Sequence, residues 1–153
     1  MFSLRPATDK DVPRNLEIWR SAVLATHDFL SEEDFREISV LVETSYLPTA
    51  PLVVAVDDED VPHGFIGTTD NNVDALFVHA ESRGMGVGRL LLESFFADRD
   101  LVTVDVNEQN CSGRMFYKKM GFQVTGRSDI DDAGRPYPLL HMRWRRPSRF
   151  SPA

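Results

Sequence analysis

The run Arg83-Gly84-Met85-Gly86-Val87-Gly88 has the residue types of an anion cradle. It stands between two apolar segments, Leu76-Phe77-Val78 before it and Leu90-Leu91-Leu92 after it. That order predicts a strand, a short polar loop from His79 to Arg83, and a helix opened by glycines. A helix N-terminus carries backbone N–H groups with no partner inside the helix, together with the positive end of the helix dipole, so it attracts anions. Glycine lets the backbone approach a diphosphate with no side chain in between. The guanidinium of Arg83 adds a fork of donors that matches phosphate oxygens. Two known cradles do not fit. A P-loop ends in Gly-Lys-Ser/Thr, whereas Gly88 is followed by Arg89-Leu90. A dinucleotide fingerprint needs a further glycine three residues after Gly86, where this chain has Arg89, even though Asp105 lies at a suitable distance downstream. What fits is Arg-x-x-Gly-x-Gly, from Arg83 through Gly86 to Gly88. The plain alternative is a glycine-rich turn without a ligand.

A second segment carries chemistry of its own: Val106-Asn107-Glu108-Gln109-Asn110, then Phe116-Tyr117-Lys118-Lys119-Met120-Gly121-Phe122. Asn110 is a good helix N-cap, and Gly121 after two lysines is a helix stop. Asn110, Gly113 and Tyr117 then share one face, polar and notched at Gly113, ending in a phenol. Met115 and Met120 fall on the other side and read as core filler. Tyr117 taken alone would read as a packed, half-buried tyrosine. Cys111, the one cysteine, rules out an intrachain disulfide, suggests a reducing compartment, and reads as structural because no base is evident beside it.

The elements that must position these groups alternate along the chain. A first strand spans Phe2 to Arg5. A helix opened by Thr8 and Asp11 carries the apolar stripe Leu16, Trp19, Val23 and Leu24. His27 to Leu30 is a loop. Ser31 with Glu32, Glu33 and Asp34 opens a second helix that runs to about Tyr46 and stops before Pro48. Leu52 to Val56 is a buried strand, Asp57 to Asp60 a solvated turn, and His63 to Thr69 a hairpin strand. Val73 to Val78 leads into the cradle and its helix, Val87 to Ala97. Leu101 to Val106, the Asn110 helix, Phe122 to Ser128, a turn at Asp131 to Gly134, and Pro138 to Trp144 complete the fold. The tail from Arg145 to Ala153 reads as mobile.

With 153 residues and a net charge of −7, the chain reads as one domain with a sizeable core. The acidic balance disfavours a nucleic-acid partner, for which Arg145, Arg146 and Arg149 are the only hint. No run has membrane-spanning length and no signal pattern opens the chain, which points to the cytoplasm. The four histidines, His27, His63, His79 and His141, are scattered without metal-ligand spacing, so no metal is expected.

Both motifs and the β-α-α-β-β-β-α-β-α-β-β order resemble the GCN5-related N-acetyltransferase (GNAT) family, over residues 1–144. Ala25-Thr26-His27-Asp28-Phe29-Leu30, Asp74-Ala75-Leu76-Phe77 and Arg135-Pro136-Tyr137-Pro138-Leu139-Leu140 resemble its YjaB-type branch of peptidyl-lysine N-acetyltransferases. Two departures are mild: Ala80 stands where a proline often follows the strand-four valine, and Gly113 where an alanine is usual. The resemblance implies an α/β fold of the α+β kind. Its mixed sheet of about seven strands splays between strands four and five, and about four helices flank it. It implies acetyl-CoA as co-substrate and direct acetyl transfer to a primary amine, a protein lysine in this branch.

Site residues follow from the same resemblance. The cradle from Arg83 and Gly84 through Met85, Gly86, Val87 and Gly88 to Arg89 would take the pyrophosphate. Backbone groups of Leu76, Phe77 and Val78 would bond the pantetheine, and an N–H of Phe77 or Val78 would polarise the thioester carbonyl. Asn110 would line the cofactor helix, and Tyr117 would donate a proton to the leaving thiolate. A lysine ammonium must lose a proton before it attacks. His27 and Asp74 are candidate bases, and His79 reads as a loop residue near the cradle. His27, Phe29 and Tyr137 would border the acceptor. Homodimers are frequent in the family. The rival readings are a small-molecule amine acetyltransferase, a non-catalytic acetyl-CoA-binding module, and an enzyme acting on aminoacyl-tRNA.

Overall fold

The computed structural model of the chain describes residues 1–147. Seven strands form one sheet: β1 (Ser3–Pro6), β2 (Leu52–Val56), β3 (Pro62–Thr69), β4 (Asn72–Val78), β5 (Leu101–Asn107), β6 (Gln123–Ser128) and β7 (Leu139–Arg145). Four helices flank it: α1 (Val12–Thr26), α2 (Glu32–Leu41), α3 (Val87–Phe96) and α4 (Cys111–Lys119). The spatial order is β1-β2-β3-β4-β5-β7-β6. Neighbours are antiparallel except β4 and β5, which are parallel. This is the mixed sheet expected from the sequence.

Period-two alternation decides which helices cover which face. Leu52, Val54 and Val56 of β2 point to α1, where Leu16, Ile18, Trp19 and Val23 form a core with Phe65. Ala55 points the other way, to the core of Val87, Leu91, Leu92, Phe95 and Phe96 from α3. On that face Val102, Val104 and Val106 of β5 meet Tyr117 of α4 and Phe122. Side chains this buried stabilise by about 1.5–3 kcal/mol each before chain entropy is charged against them.

Several boundaries differ from the sequence reading. Strand β1 includes Pro6, tolerated because β1 is an edge. The second helix does reach Tyr46, but its last segment, Val42–Tyr46, is a π turn. Leu24 is 68% exposed and belongs to no core stripe. Met115, expected as core filler, is 60% exposed. Cys111 is exposed as well, with its Sγ 3.3 Å from an Arg114 amino group, so it fills no core. The expected mobile tail starts too early. Arg145 ends β7, and Arg146 donates to the carbonyls of Phe96, Ala97 and Arg99, capping the end of α3. The remainder of that tail, 148–153, lies outside the described residues.

The feature that creates a site is the junction of β4 and β5. Their pairing is confined to Asn72 with Thr103 and Val73 with Val104. The β3–β4 register shifts at the same height: Gly67 pairs Ala75 and Thr68 pairs Val73, which leaves Asp74 as the extra residue. A bulge bends its strand and adds twist. From Asp74 onward β4 leaves β5, and the facing backbone edges part.

Candidate active site

The cradle loop owes its shape to two glycines. Gly84 and Gly86 have φ of +81° and +82°, in the left-handed region that side chains disfavour. A Cβ at either would meet nothing within 4 Å, so the demand is conformational rather than steric. Gly86 is the N-cap of α3 and supplies no side-chain cap. The first helical bond is the Leu90 N–H to the Gly86 carbonyl, at 3.0 Å. The N–H groups of Val87, Gly88 and Arg89 precede it and have no backbone acceptor among the described residues. Gly88 lies against the Phe116 ring and Val78, where a Cβ would be in ordinary contact at 3.4–3.5 Å.

This open helix end faces a cleft of about 750 Å³ that runs between the parted strands. Leu76, Phe77 and Val78 line it from β4, the loop contributes Arg83, Gly84, Gly86, Val87, Gly88 and Arg89, and α4 contributes Asn110 and Tyr117. Met85 is exposed and its side chain does not line the cleft. Arg83 is exposed at the mouth, and Arg89 pairs with Glu93 one turn along α3. Tyr117 is buried between the rings of Phe116 and Phe122, whose centroids lie 5.3 and 5.2 Å away. Burial alone pushes its phenol above the ordinary tyrosine value, with no hydrogen bond opposing the shift. The group is therefore a neutral O–H at any physiological pH.

The cleft is also lined by titratable groups. His27, just past α1, lines the cleft. Its Nδ1 lies 2.7 Å from Thr26 Oγ1, and that hydroxyl donates its one hydrogen to the Ala22 carbonyl at 2.8 Å. Nδ1 must then be the donor of the pair, which leaves Nε2 with the lone pair of the neutral ring. Burial lowers the His27 pKa; a hydrogen bond that the protonated ring gives to the Asn107 side-chain oxygen and the charge of Asp28 oppose that in part. Asp74, the bulge residue, also lines the cleft and takes hydrogen bonds from Thr69 Oγ1 and from Asn72 Nδ2, the latter at 2.8 Å.

The family model for an acetyltransferase (GNAT) domain matches residues 48–124. The chain is 46% identical to the peptidyl-lysine N-acetyltransferase YjaB of Salmonella typhimurium, over 93% of this chain and 97% of that one. It is equally similar, at 46%, to YjaB of Escherichia coli, over 93% of this chain and 96% of that one. The solution structure of apo YjaB from Escherichia coli superposes with a TM-score of 0.90, covering 94% of this chain and 97% of the other. The chain belongs to the GNAT family. It is an acetyl-CoA-dependent N-acetyltransferase. The open α3 end and the unpaired β4 edge fit such a donor: one offers N–H groups to an anion, the other a strand-like backbone edge to an amide-bearing arm.

Not every residue singled out in the sequence meets in the cleft. Tyr137 is buried elsewhere: its hydroxyl bonds the Asp34 carboxylate and accepts the Ser31 N–H at 3.3 Å, pinning the start of α2. Phe29 stands between His27 and Tyr137, at centroid distances of 5.2 and 5.8 Å, and supports the His27 loop from behind. His79 caps the turn Ala80–Ser82, its Nδ1 accepting the Glu81 N–H at 3.1 Å. Ala80 gives its N–H to Ser21 Oγ at 3.1 Å, a bond that a proline could not make. At Gly113, a Cβ would come within 2.5 Å of Asn110 Nδ2, so glycine preserves the pose of Asn110.

Sequence reasoning also missed a residue. Asp105 lines the cleft, with Oδ1 2.6 Å from His141 Nδ1, while His141 Nε2 is 2.7 Å from Ser128 Oγ. The available signal was its place in β5, an acid on the alternate face of an otherwise apolar Val-x-Val-x-Val strand.

Proposed function

We propose that this enzyme, through a domain spanning residues 1–144, acetylates lysine side chains of proteins in the cytoplasm. The observation that carries the reading is the cleft, which gathers unpaired amides, a neutral phenol, and the titratable groups of His27, Asp74 and Asp105. The donor lies along β4 with its diphosphate at the N–H groups of Val87, Gly88 and Arg89. An N–H of Phe77 or Val78 polarises the thioester carbonyl. The carboxylates of Asp74 and Asp105 suit a cationic acceptor. Nε2 of His27 takes the proton of the ammonium, directly or through water, and the amine nitrogen attacks the carbonyl carbon. The carbon–sulfur bond breaks, the thiolate takes the proton of Tyr117, and the second proton shed by the acetylated nitrogen restores the phenol, directly or through water. The two YjaB relatives are named as peptidyl-lysine N-acetyltransferases, which supports a lysine acceptor.

The test is thiol release from acetyl-CoA with a panel of lysine peptides, whole proteins and small amines. Peptide-dependent release, with acetyl-lysine found by mass spectrometry, is the expected result. Release with small amines alone would replace the acceptor class. Coenzyme A binding without release on any amine would make the protein a binding module.

A further inference from the structure

The cradle loop has no packing of its own. Nothing lies within 4 Å of where a Cβ would stand at Gly84 or Gly86, and Arg83 and Met85 are exposed. Its position is set by its two ends. Downstream, Val87 and Leu91, each 1% exposed, plug the first turns of α3 into the core. Upstream, the last fixed residue is Ser82, 4% exposed, and there the anchor is polar. Ser82 Oγ lies 2.7 Å from His63 Nδ1, and His63 Nε2 lies 2.8 Å from Asp57 Oδ2. Asp57 is itself held: its Oδ1 accepts the N–H groups of Glu59 and Val61 at 2.9 and 3.0 Å. The ionised carboxylate accepts a hydrogen bond from Nε2–H, so in the neutral ring Nδ1 accepts one from the Ser82 hydroxyl. The ring is braced by the edge of Phe2, 5.1 Å between centroids, and the His63 carbonyl accepts the His79 N–H at 2.8 Å.

We propose that the Asp57–His63–Ser82 chain is a latch that positions the diphosphate cradle, fixing the upstream end of the glycine loop so that the N–H groups opening α3 face the donor. None of the three is a catalytic residue; His63 and Asp57 act through Ser82, and Ser82 through the loop it begins. The proposal rests on the reading of the α3 N-terminus as the diphosphate site.

The test compares two donors, acetyl-CoA and S-acetylpantetheine, which carries the same thioester and arm without the diphosphate. His63→Ala and Ser82→Ala are each expected to raise KM for acetyl-CoA by about tenfold, the value of a lost buried hydrogen bond. In the same variants kcat and the kcat/KM for S-acetylpantetheine stay within about twofold of the parent. The double variant should lose no more than the worse single one, because both cut one chain. His63→Gln should recover part of the loss, since its amide can donate to Asp57 and accept from Ser82. Ser82→Ala removes one oxygen and keeps the test open if His63→Ala folds poorly. Equal losses with both donors would overturn the latch in favour of a general structural role, and unchanged acetyl-CoA kinetics would overturn it outright. If the parent enzyme itself shows no preference for acetyl-CoA over S-acetylpantetheine, the cradle fails, and the latch with it.

Discussion

Two helices present their N-termini to one cleft and end in opposite ways. In α4 the end is closed: Asn110 Oδ1 accepts the Gly113 N–H at 3.0 Å and the Ser112 hydroxyl at 3.3 Å. In α3 the N-cap is Gly86, which has no side chain to offer and holds a left-handed backbone. A glycine in place of a capping side chain forgoes about a few tenths of a kcal/mol of stability. Helix α1 also starts without a side-chain cap bond, with a proline in its first turn, but α3 is the uncapped end that lines the cleft, and α2 is closed by Ser31 Oγ, which accepts the Asp34 N–H at 3.1 Å. The lesson is that local satisfaction marks scaffold, and its absence beside a cleft marks a place kept for a ligand. Helix α4 serves chemistry through the phenol on its buried face, and α3 serves binding through its backbone.

That division can be broken experimentally. The largest effect is expected at the buried phenol. Tyr117→Phe should lower kcat by about 10²–10³-fold, the usual share of a positioned proton donor, while coenzyme A affinity measured by calorimetry stays the same. Closing α3 in the manner of α4 should do the converse. Gly86→Asp places a carboxylate where the diphosphate would sit, and should weaken coenzyme A binding by about 100-fold through lost and repelled charge-assisted bonds. Its kcat at saturating acetyl-CoA should survive. Opening α4 is milder. Asn110→Ala should cost about 1 kcal/mol of stability in urea denaturation, with a smaller effect on donor affinity than Gly86→Asp.

The smallest effect is on pH dependence. Burial depresses the folded pKa of His27 below its ordinary 6.5. The unfolded chain therefore takes up the proton first as pH falls. The stability tied to neutral His27 is fully present above pH 6.5 and is lost as pH drops through the lower, folded value. The acid limb of kcat/KM should likewise lie below pH 6.5 and vanish in His27→Ala. A limb at or above the ordinary value would assign the base elsewhere.

The donor side was legible in the sequence because its signals are local. Glycines before an apolar helix, an asparagine cap and a strand into the loop are all read within a few residues. The mixed sheet and its splay were expected from the family resemblance, and the bulge at Asp74 supplies a physical cause for the splay. The acceptor side was less legible, because its contacts join distant segments. Asp105 meets His141 only once β5 pairs with β7, and on the donor side a long-range contact, Ser82 with His63 on β3, was equally hidden. Helical period also gave faces without saying which face would be covered. Leu24 and Met115 lie on largely exposed helix sides, and Tyr137 was spent on holding α2 rather than on a substrate. The tautomer of His27 depends on where the Thr26 hydroxyl points, which no sequence pattern encodes.

The most direct test of the account is calorimetric binding of coenzyme A and of pantetheine to the parent protein and to Gly86→Asp. The account predicts that the parent prefers coenzyme A by about 100-fold, and that Gly86→Asp loses this preference while its pantetheine affinity is unchanged. Equal binding of the two ligands by the parent, or a preference that survives in Gly86→Asp, would contradict the assignment of the open α3 end to the diphosphate.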